Sequence, residues 1–469
     1  MGYAVHPRRP SYKALPRDQI KKWWGKSGFP RSVDTTLWSG TAFDGGSLKT
    51  EFSQSASEAG FTLSSHTGGP TGSFTRLTTV GDDALEELRW DASAAGKSAH
   101  DGSNDYFAFW VRCSNAKAFG SNDFSVFVGS GGGGYTNYYR QYLTQGGTQD
   151  LIIGEEWLLY LVPLTGFDGA TGGSPSKTTL EDVKFRVSDN SNAGVTLDIA
   201  GAFFVQKDTR RFPNGAISMV ADDSRKSQHD HMASLLDGST PKINGTYYSY
   251  PGLFDSSVTS GGEAIFTTAE AKAVRDTHGS EITFHANTVD MTSAGYAGLS
   301  SGELEREMID GRNLLQDDGF NTMNVAYVRG EFAINGINSL PTVRKHAKSG
   351  RTIFKKTGET LPVSDPYRLR AMSVQSADTL ATITGWIDDV IAEGGWAIIA
   401  MHTIVTSPDS LVNNNDYWKL NSDNANSLEG IRDHIITKES GGTFVGTVEE
   451  VLAKMGGQLN YPDGVEAGD

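Results

Sequence analysis

The sequence predicts a multidomain protein of the β then α/β class: an N-terminal antiparallel β-sandwich of jelly-roll type, followed by a parallel barrel of strands and helices. Three observations lead to this prediction. The chain of 469 residues is too long for one ordinary domain. Its first half carries short runs of alternating apolar and polar residues, which are typical of antiparallel strands. Its second half alternates apolar strands with capped helices, which indicates a parallel sheet.

Near residues 208–213 the sequence changes from short alternating runs to strands that alternate with helices, and this change divides the chain. We expect four segments along it. They are an arm over residues 1–33, a carbohydrate-binding-like β-sandwich over 34–208, a barrel over 209–457 and a C-terminal tail over 458–469.

The arm is basic and aromatic, with Trp23 and Trp24. It has no apolar core region, so we do not interpret it as a signal peptide. We expect an extended segment that attaches the chain to a larger assembly, such as a viral tail, in which a homo-oligomer such as a trimer would fit. Outside a virion, the chain would be cytoplasmic or exported by a non-classical route.

Composition limits the classes of partner. The net charge of -15 argues against a nucleic acid, because phosphates would be repelled. No apolar run is long enough to span a bilayer, so we expect no membrane insertion. The single cysteine, Cys113, can form neither an intrachain disulfide nor a cysteine zinc cage. Neutral sugars remain compatible partners, and the 55 glycines are consistent with loop-rich β structure.

Six runs with period-two alternation mark strands of the sandwich: 73–80, 105–113, 123–130, 155–164, 182–189 and 195–206. Between the third and fourth runs, a glycine-rich hairpin tip precedes Tyr135 and Tyr138. Exposed aromatic side chains can stack on sugar rings, although aromatic residues of strands more often belong to the core. These two tyrosines are therefore candidate substrate-binding residues.

The second half contains seven predicted strands, at 216–221, 245–250, 281–285, 324–330, 351–356, 396–402 and 442–446. Capping boxes at Thr267/Glu270 and Ser300/Glu303 begin two of the helices between them. A parallel sheet of seven strands without a nucleotide-binding fingerprint favours a barrel over a doubly wound sheet.

Functional residues of parallel barrels gather at the carboxyl ends of the strands. Here the strands end in Asp222 and Asp223, in His285, in Arg329 and in His402. Carboxylate and imidazole groups bind zinc and similar divalent ions, and a site with three ligands leaves room for water and substrate. A second carboxylate can serve as a general base, a histidine as a general acid, and an arginine can orient a carboxylate. The set predicts metal-assisted hydrolysis of an acyl bond.

In this order the motifs of residues 216–455 resemble the polysaccharide deacetylase family, which has the chitooligosaccharide deacetylase (NodB) homology domain. Residues 220–224 (VADDS) stand where that family has TFDDG, and residues 399–402 (IAMH) resemble its L-x-x-H motif. The approach to His285, residues 279–285, also fits the family's second motif. The resemblance implies a distorted (β/α)7 barrel that removes N- or O-linked acetyl groups from a polysaccharide.

The resemblance also implies a role for each matching residue. Asp222 would be the catalytic base, His402 the general acid and Arg329 the arginine of the third motif. Asp223 and His285 would be ligands of a divalent metal, with zinc as the expected ion. Trp396 is a candidate for the acyl pocket, although it is equally compatible with the core.

The sequence departs from the family pattern at several positions. Val289 stands where the second metal histidine is expected, so Asp290 is the nearest substitute ligand, with Asn287 as a further candidate. Ser224 replaces a glycine, the third motif lacks its proline, and we find no fourth motif. Two interpretations follow: an Asp–His–Asp metal centre, or an inactive deacetylase-like module that binds glycans or serves as a structural part of a phage-like particle.

Overall fold

A computed structural model of the protein describes the greater part of the chain. The described residues are 36–37, 53–54, 62–69, 72–79, 85–92, 98–115, 119–131, 136–144, 156–165, 171–189, 194–288, 299–320, 323–334, 337–354, 358–406, 416–417 and 427–455. The predicted arm and the predicted tail lie outside these ranges, as do the candidate site residues Tyr135 and Asp290.

The first half of the chain forms two antiparallel sheets of six strands each. The strands are β1 Thr36–Leu37, β2 Ser53–Gln54, β3 Thr62–Gly69, β4 Gly72–Thr78, β5 Leu85–Asp91, β6 Asp105–Cys113, β7 Phe119–Ser130, β8 Tyr138–Tyr142, β9 Leu158–Val162, β10 Thr171–Gly172, β11 Leu180–Asp189 and β12 Thr196–Gln206. One sheet has the order β3-β4-β12-β6-β9, with β1 beside β12, and the other has the order β10-β8-β7-β11-β5-β2.

The two sheets share one hydrophobic core, as period-two alternation requires. In β6, Phe107 and Phe109 enter this core, whereas Tyr106 and Trp110 point to the opposite face of the sheet. In β11, Phe185 enters the same core from the other sheet and packs edge-on against Phe109 at 4.9 Å. The predicted antiparallel β-sandwich is therefore present.

The second half forms a half-barrel of parallel strands. Its strands are β13 Ala216–Ala221, β14 Thr246–Ser249, β17 Glu281–Phe284, β18 Asn324–Ala326, β21 Ser349–Arg351, β22 Met372–Ser373, β23 Trp396–Met401 and β26 Phe444–Val445. The order is β21-β18-β17-β14-β13-β23-β22, with β26 beside β13, and every pairing is parallel. Short two-stranded pairs decorate it, formed by β15 Thr259–Ser260 with β16 Glu263–Ala264, β19 Ala333–Ile334 with β20 Ile337–Asn338, and β24 Thr403–Ile404 with β25 Asp416–Tyr417.

Helices connect the parallel strands. They are Ser234–Asp237, which continues a π-helical turn at Gln228–Ala233, and Thr268–Asp276, Ser301–Asp317, Leu340–His346, Leu380–Ala392, Leu428–Ser440 and Val448–Met455. Both predicted capping boxes are present, at Thr267/Glu270 and Ser300/Glu303. Within the described ranges, no helix combines the length and the apolar character needed to cross a bilayer.

Buried polar contacts join the sandwich to the half-barrel. Arg370 lies 2.7 Å from Glu359, both side chains are fully buried, and the Arg370 guanidinium also donates to the Leu161 carbonyl of β9. Nearby, Lys207 pairs with Glu393 at 3.0 Å, and the Tyr106 hydroxyl donates to the Glu393 carbonyl. The face of the first sheet that points away from the sandwich core thus packs on the second half of the chain.

Candidate active site

Polar residues follow three strands of the half-barrel, β17, β13 and β23, with β14 between the first two. Asp222 and Asp223 come directly after β13, His285 after β17 and His402 after β23. Because these strands are parallel, their carboxyl ends share one edge of the sheet, and the four side chains meet there. This edge is called the carboxyl edge below.

Asp222 is paired with the guanidinium of Arg351, the last residue of β21. Nη2 of Arg351 lies 2.6 Å and 2.5 Å from the two carboxylate oxygens of Asp222. Three strands separate β21 from β13 in the sheet order, so the contact crosses the interior of the curved sheet. Arg351 is 0% exposed, and its counter-charge offsets the cost of burying Asp222.

Asp223 has a separate set of partners. Its Oδ2 accepts a hydrogen bond of 2.7 Å from Nη2 of Arg225, and its Oδ1 accepts one of 3.1 Å from the Tyr250 hydroxyl. Nε2 of His285 lies 3.4 Å from the same Oδ1. Burial alone would raise the pKa of Asp223, but the hydrogen bond with His285 and the charges of His402 and Arg225 hold that pKa far below its usual value.

The ring of His285 is held in one orientation. Its Nδ1 lies 2.8 Å from the Ala326 carbonyl, which can only accept, so Nδ1 donates and Nε2 is left facing Asp223. Burial lowers the pKa of His285, but the hydrogen bond with Asp223 and the charges of both carboxylates outweigh it and raise the pKa above the usual value. Nε2 is thus directed at a negatively charged oxygen, as in a metal-ligating histidine whose other nitrogen is fixed.

His402 lies on the other side of Asp222, with its Nε2 3.8 Å from Oδ2 of that residue. Burial lowers the pKa of His402 below its usual value; the nearby carboxylates oppose this shift, and Arg225 and Arg351 add to it. Its Nδ1 is buried and has no hydrogen-bond partner among the described residues. The sequence offered no fourth motif, and within those residues no carboxylate meets this nitrogen.

The backbone at the acidic pair is strained. Asp223 and Ser224 both have positive φ, 77° and 53°, in the left-handed region that non-glycine residues rarely adopt. Ser224 is held by two hydrogen bonds, because its hydroxyl accepts from the Tyr250 amide at 2.9 Å and its carbonyl accepts from the Phe266 amide at 2.8 Å. Strain of this kind clusters at functional sites, where the surrounding structure fixes it.

Two residues that the sequence suggested do not join this site. Arg329 is exposed, on a turn where its own φ is 60°, and the arginine that meets Asp222 is Arg351 instead. Trp396 begins β23, whereas His402 follows its end, so the tryptophan lies at the opposite edge of the sheet. It is fully buried in the core and donates from Nε1 to the Ser218 hydroxyl at 3.0 Å, so it does not line an acyl pocket at the carboxyl edge.

Tyr138 lies on β8 of the sandwich. It is half-buried, and its ring packs edge-on against Phe127 at 4.9 Å. Its neighbour in the prediction, Tyr135, lies outside the described residues.

A second group of metal-binding residue types lies elsewhere. His229, Asp230 and Glu270 place one ligand atom each within 4.8 Å of one another. Glu270 is already committed to the capping box of its helix, and Lys226 pairs with both Glu270 and Asp230. A lysine inside the cluster opposes a cation there.

The Asp223–His285 pair fits a divalent ion by its geometry. Two ligand atoms bound tetrahedrally to one zinc ion, each about 2.0–2.1 Å from it, lie roughly 3.3 Å apart. The observed separation between Oδ1 and Nε2 is 3.4 Å. Among the described residues, no third His, Cys, Asp or Glu ligand atom completes a group with them. The residue predicted to do so, Asp290, lies outside the described ranges, as does Val289.

No protein-family model and no curated protein matches the sequence. Among solved structures, the chain is similar to IcaB from Ammonifex degensii, with a TM-score of 0.30 and 16% identity over 36% of this chain and 72% of that one. It is similar to BA3943, a CE4 family pseudoenzyme from Bacillus anthracis (TM-score 0.30, 14% identity, 51% of this chain, 66% of that one). It is also similar to a family 11 carbohydrate-binding module from Clostridium thermocellum (0.22, 9%, 33% and 89%). TM-scores this low carry no weight for function, which rests on the side chains of the site.

Three residues of the site were missed from the sequence. Arg351 begins a predicted strand but in the structure ends one, at 349–351, which places it at the carboxyl edge. Arg225 follows the acidic pair by two positions, and nothing in the motif singles it out. Gln228 donates from Nε2 to the carbonyls of Asp222 and His402 and so ties two strand ends together.

Proposed function

We propose that this protein is a carbohydrate deacetylase: a hydrolase that removes acetyl groups from a polysaccharide with the help of a divalent metal ion, zinc by the character of the donors. The observation that carries the proposal is the Asp223–His285 pair at 3.4 Å, with the His285 ring fixed through the Ala326 carbonyl. Asp222 and His402 stand beside it on the same edge. Acyl hydrolysis needs two such ligands of one metal ion next to a carboxylate and an imidazole.

Each residue then has one task. Asp223 and His285 would hold the metal, and Asp290 is proposed as the third ligand. When bound, the metal would supply Lewis-acid polarisation of the acyl oxygen and a more acidic water. Asp222 accepts the proton of the attacking water while Arg351, in the role expected of Arg329, fixes its two oxygens.

His402 is placed to deliver a proton to the leaving oxygen or nitrogen of the sugar. Its Nε2 lies 3.8 Å from Oδ2 of Asp222, at the carboxyl edge that both residues share. The separation leaves the two groups as distinct partners, one for the water and one for the leaving group.

The sandwich is proposed to hold the polysaccharide, with Tyr135 and Tyr138 as candidate stacking residues. Tyr138 keeps part of its ring exposed on β8, which supports a contact with sugar. A place on a viral tail, with residues 1–33 as the attachment segment, stays a prediction, as does a homo-oligomer.

One observation favours a second function, glycan binding without turnover. Each carboxylate of the site already has a buried arginine, Arg351 at Asp222 and Arg225 at Asp223. A site whose negative charges are neutralised within the chain attracts a divalent cation less strongly. On this alternative, the site is a deacetylase-like module used for adhesion.

Acetate release tests the two functions against each other. We expect the protein, supplied with zinc, cobalt or manganese, to release acetate from one class in a panel of N- and O-acetylated oligosaccharides. A chelator should stop the reaction, and Asp222→Asn should slow it at least about 100-fold, the usual range for a lost general base. Asp230→Asn, an isosteric change at an exposed carboxylate, serves as the control and should keep the rate. Glycan binding by both the wild type and Asp222→Asn without any acetate would establish the alternative.

A further inference from the structure

The site contains a cation of its own, the guanidinium of Arg225. Nη2 of Arg225 binds Oδ2 of Asp223 at 2.7 Å, on the carboxylate that also faces His285. Nη1 donates to the Thr403 hydroxyl at the start of β24. One side chain therefore connects the expected metal ligand with the strand that follows His402.

Arg225 is buried and enclosed by neighbouring residues rather than exposed on the surface. It is 6% exposed, and its backbone bridges Ile265, just after the β15–β16 hairpin. The tip of that hairpin covers the guanidinium: a Cβ added to Gly261 would lie 2.6–2.9 Å from three of its atoms. Only a residue without a side chain allows this close approach, so Gly261 and Arg225 fit as a pair.

The charges of the site balance without any metal. Asp222 and Asp223 contribute two negative charges, and Arg351 and Arg225 contribute two positive ones. A divalent ion added to Asp223 and His285 would leave a buried excess of positive charge close to Arg225. Like charges at short range in a buried site repel strongly.

We propose that Arg225 is a tethered cation that competes with the divalent metal for Asp223 and makes metal binding weak and exchangeable. This inference rests on the proposed metal pair Asp223–His285. The site would then fill according to the concentration of free metal, and movement of the Gly261 hairpin would alter its affinity.

The test is a zinc titration against a chromophoric chelator, which needs no substrate. Arg225→Met removes the competing charge while keeping most of the side-chain volume, and we expect it to bind zinc at least 10-fold more tightly than the wild type. Gly261→Ala pushes the guanidinium away without removing it, and we expect several-fold tighter binding. Gly262→Ala is the matched control, because that residue shares the hairpin and a positive φ but its added Cβ meets nothing within 4 Å.

The outcomes separate this inference from the proposed function. If Arg225→Met binds zinc no more tightly than the wild type, or Gly261→Ala behaves like Gly262→Ala, the competition is refuted and Arg225 merely orients Asp223. Adding His285→Ala to Arg225→Met should abolish the gain. If His285→Ala leaves zinc binding unchanged in every background, Asp223 and His285 are not the ligands of the metal, and the proposed metal-dependent function is refuted. Should Arg225→Met fail to fold, as judged by circular dichroism, the comparison of the two glycine variants decides.

Discussion

Each acidic residue at the carboxyl edge has its own buried arginine, and this pairing determines how the two carboxylates differ. Asp222 shares both oxygens with Arg351, whereas Asp223 shares one oxygen with Arg225 and turns the other to His285 and Tyr250. Both oxygens of Asp222 are thus held by one arginine, which suits the proposed base, whereas Oδ1 of Asp223 faces His285, which suits the proposed metal ligand. Adjacent residues with the same side chain acquire separate tasks from their partners alone.

The arginine at Asp222 leads to the first prediction. Arg351→Met leaves a buried carboxylate without its counter-charge, so we expect a loss of about 3–5 kcal/mol in the free energy of unfolding. Arg210→Met, at an exposed position, should stay within about 0.5 kcal/mol of the wild type. Urea denaturation of both variants measures the difference. Equal stabilities for the two variants would mean that Arg351 does not hold Asp222.

At the scale of elements, the site depends on the alignment of β13 with β23. Gln228, in the π-helical turn after β13, donates from one amide nitrogen to the carbonyls of Asp222 and His402. The side chain is fully buried. It therefore fixes the spacing between Asp222 and His402, the proposed base and acid, through their backbones rather than through their side chains.

Removing this tether is the second prediction. Gln228→Leu leaves two strand-end carbonyls without their donor, which should cost about 1–3 kcal/mol of stability. We expect acetate release to fall by roughly 10-fold or more, because small displacements of catalytic groups are costly. Denaturation and initial rates, with the exposed Gln206→Leu as the control, provide the measurement. A Gln228→Leu variant as fast and as stable as the wild type would rule out the tether.

Much of the architecture at this scale could be predicted from the sequence. The capping boxes at Thr267 and Ser300 each begin a helix, as predicted, because their hydrogen bonds join residues that are close in the sequence. Six of the seven predicted strands of the second half coincide with strands of the parallel sheet, since each contains a short apolar run. The strand predicted at 351–356 is displaced to 349–351, and β22, of only two residues, has no pattern to reveal it.

The site could be predicted only in part, because some of its contacts join residues that are far apart in the sequence. Asp222, Asp223, His285 and His402 follow apolar strands, so the rule of strand ends brings them together. The contact between Asp222 and Arg351 joins residues 129 positions apart across the curved sheet, and no local pattern encodes it. Trp396 begins its strand and lies in the core, which is the second of the two alternatives the sequence left open for it.

At the scale of the whole molecule, part of the contact between the sandwich and the half-barrel lies at the amino edge of the parallel sheet. Glu359 pairs with the start of β23 through a bridge to Trp396, and Glu393 just precedes that strand. The ion pairs of these residues with Arg370 and Lys207 therefore lie at the amino edge of the sheet, opposite His402.

The amino edge also yields a prediction about pH. Burial raises the pKa of Glu281, at the start of β17, to about 7, with Glu449 adding to the shift and hydrogen bonds from Asn324 and Thr246 opposing it. The ordinary pKa of this side chain is 4.5. Above that pH the unfolded state loses the proton, whereas the folded state keeps it. The contribution of Glu281 to the free energy of unfolding is complete below pH 4.5. It falls by about 3 kcal/mol as the pH rises to about 7, at ~1.4 kcal/mol per pKa unit.

Denaturation of the wild type and Glu281→Gln across pH 4–8 measures this effect. The amide cannot ionise, so the variant should lose the downward slope between pH 4.5 and about 7. Identical slopes for the two proteins would show that Glu281 does not titrate in this window.

In the proposed function, a metal bound between Asp223 and His285 serves a hydrolytic site at the carboxyl edge. The most direct test is anomalous diffraction from crystals soaked in millimolar zinc. We expect one strong peak about 2.0–2.2 Å from both Oδ1 of Asp223 and Nε2 of His285, the ordinary zinc–ligand distances. A peak only at His229, Asp230 and Glu270, or no peak beside Asp223, would contradict the account.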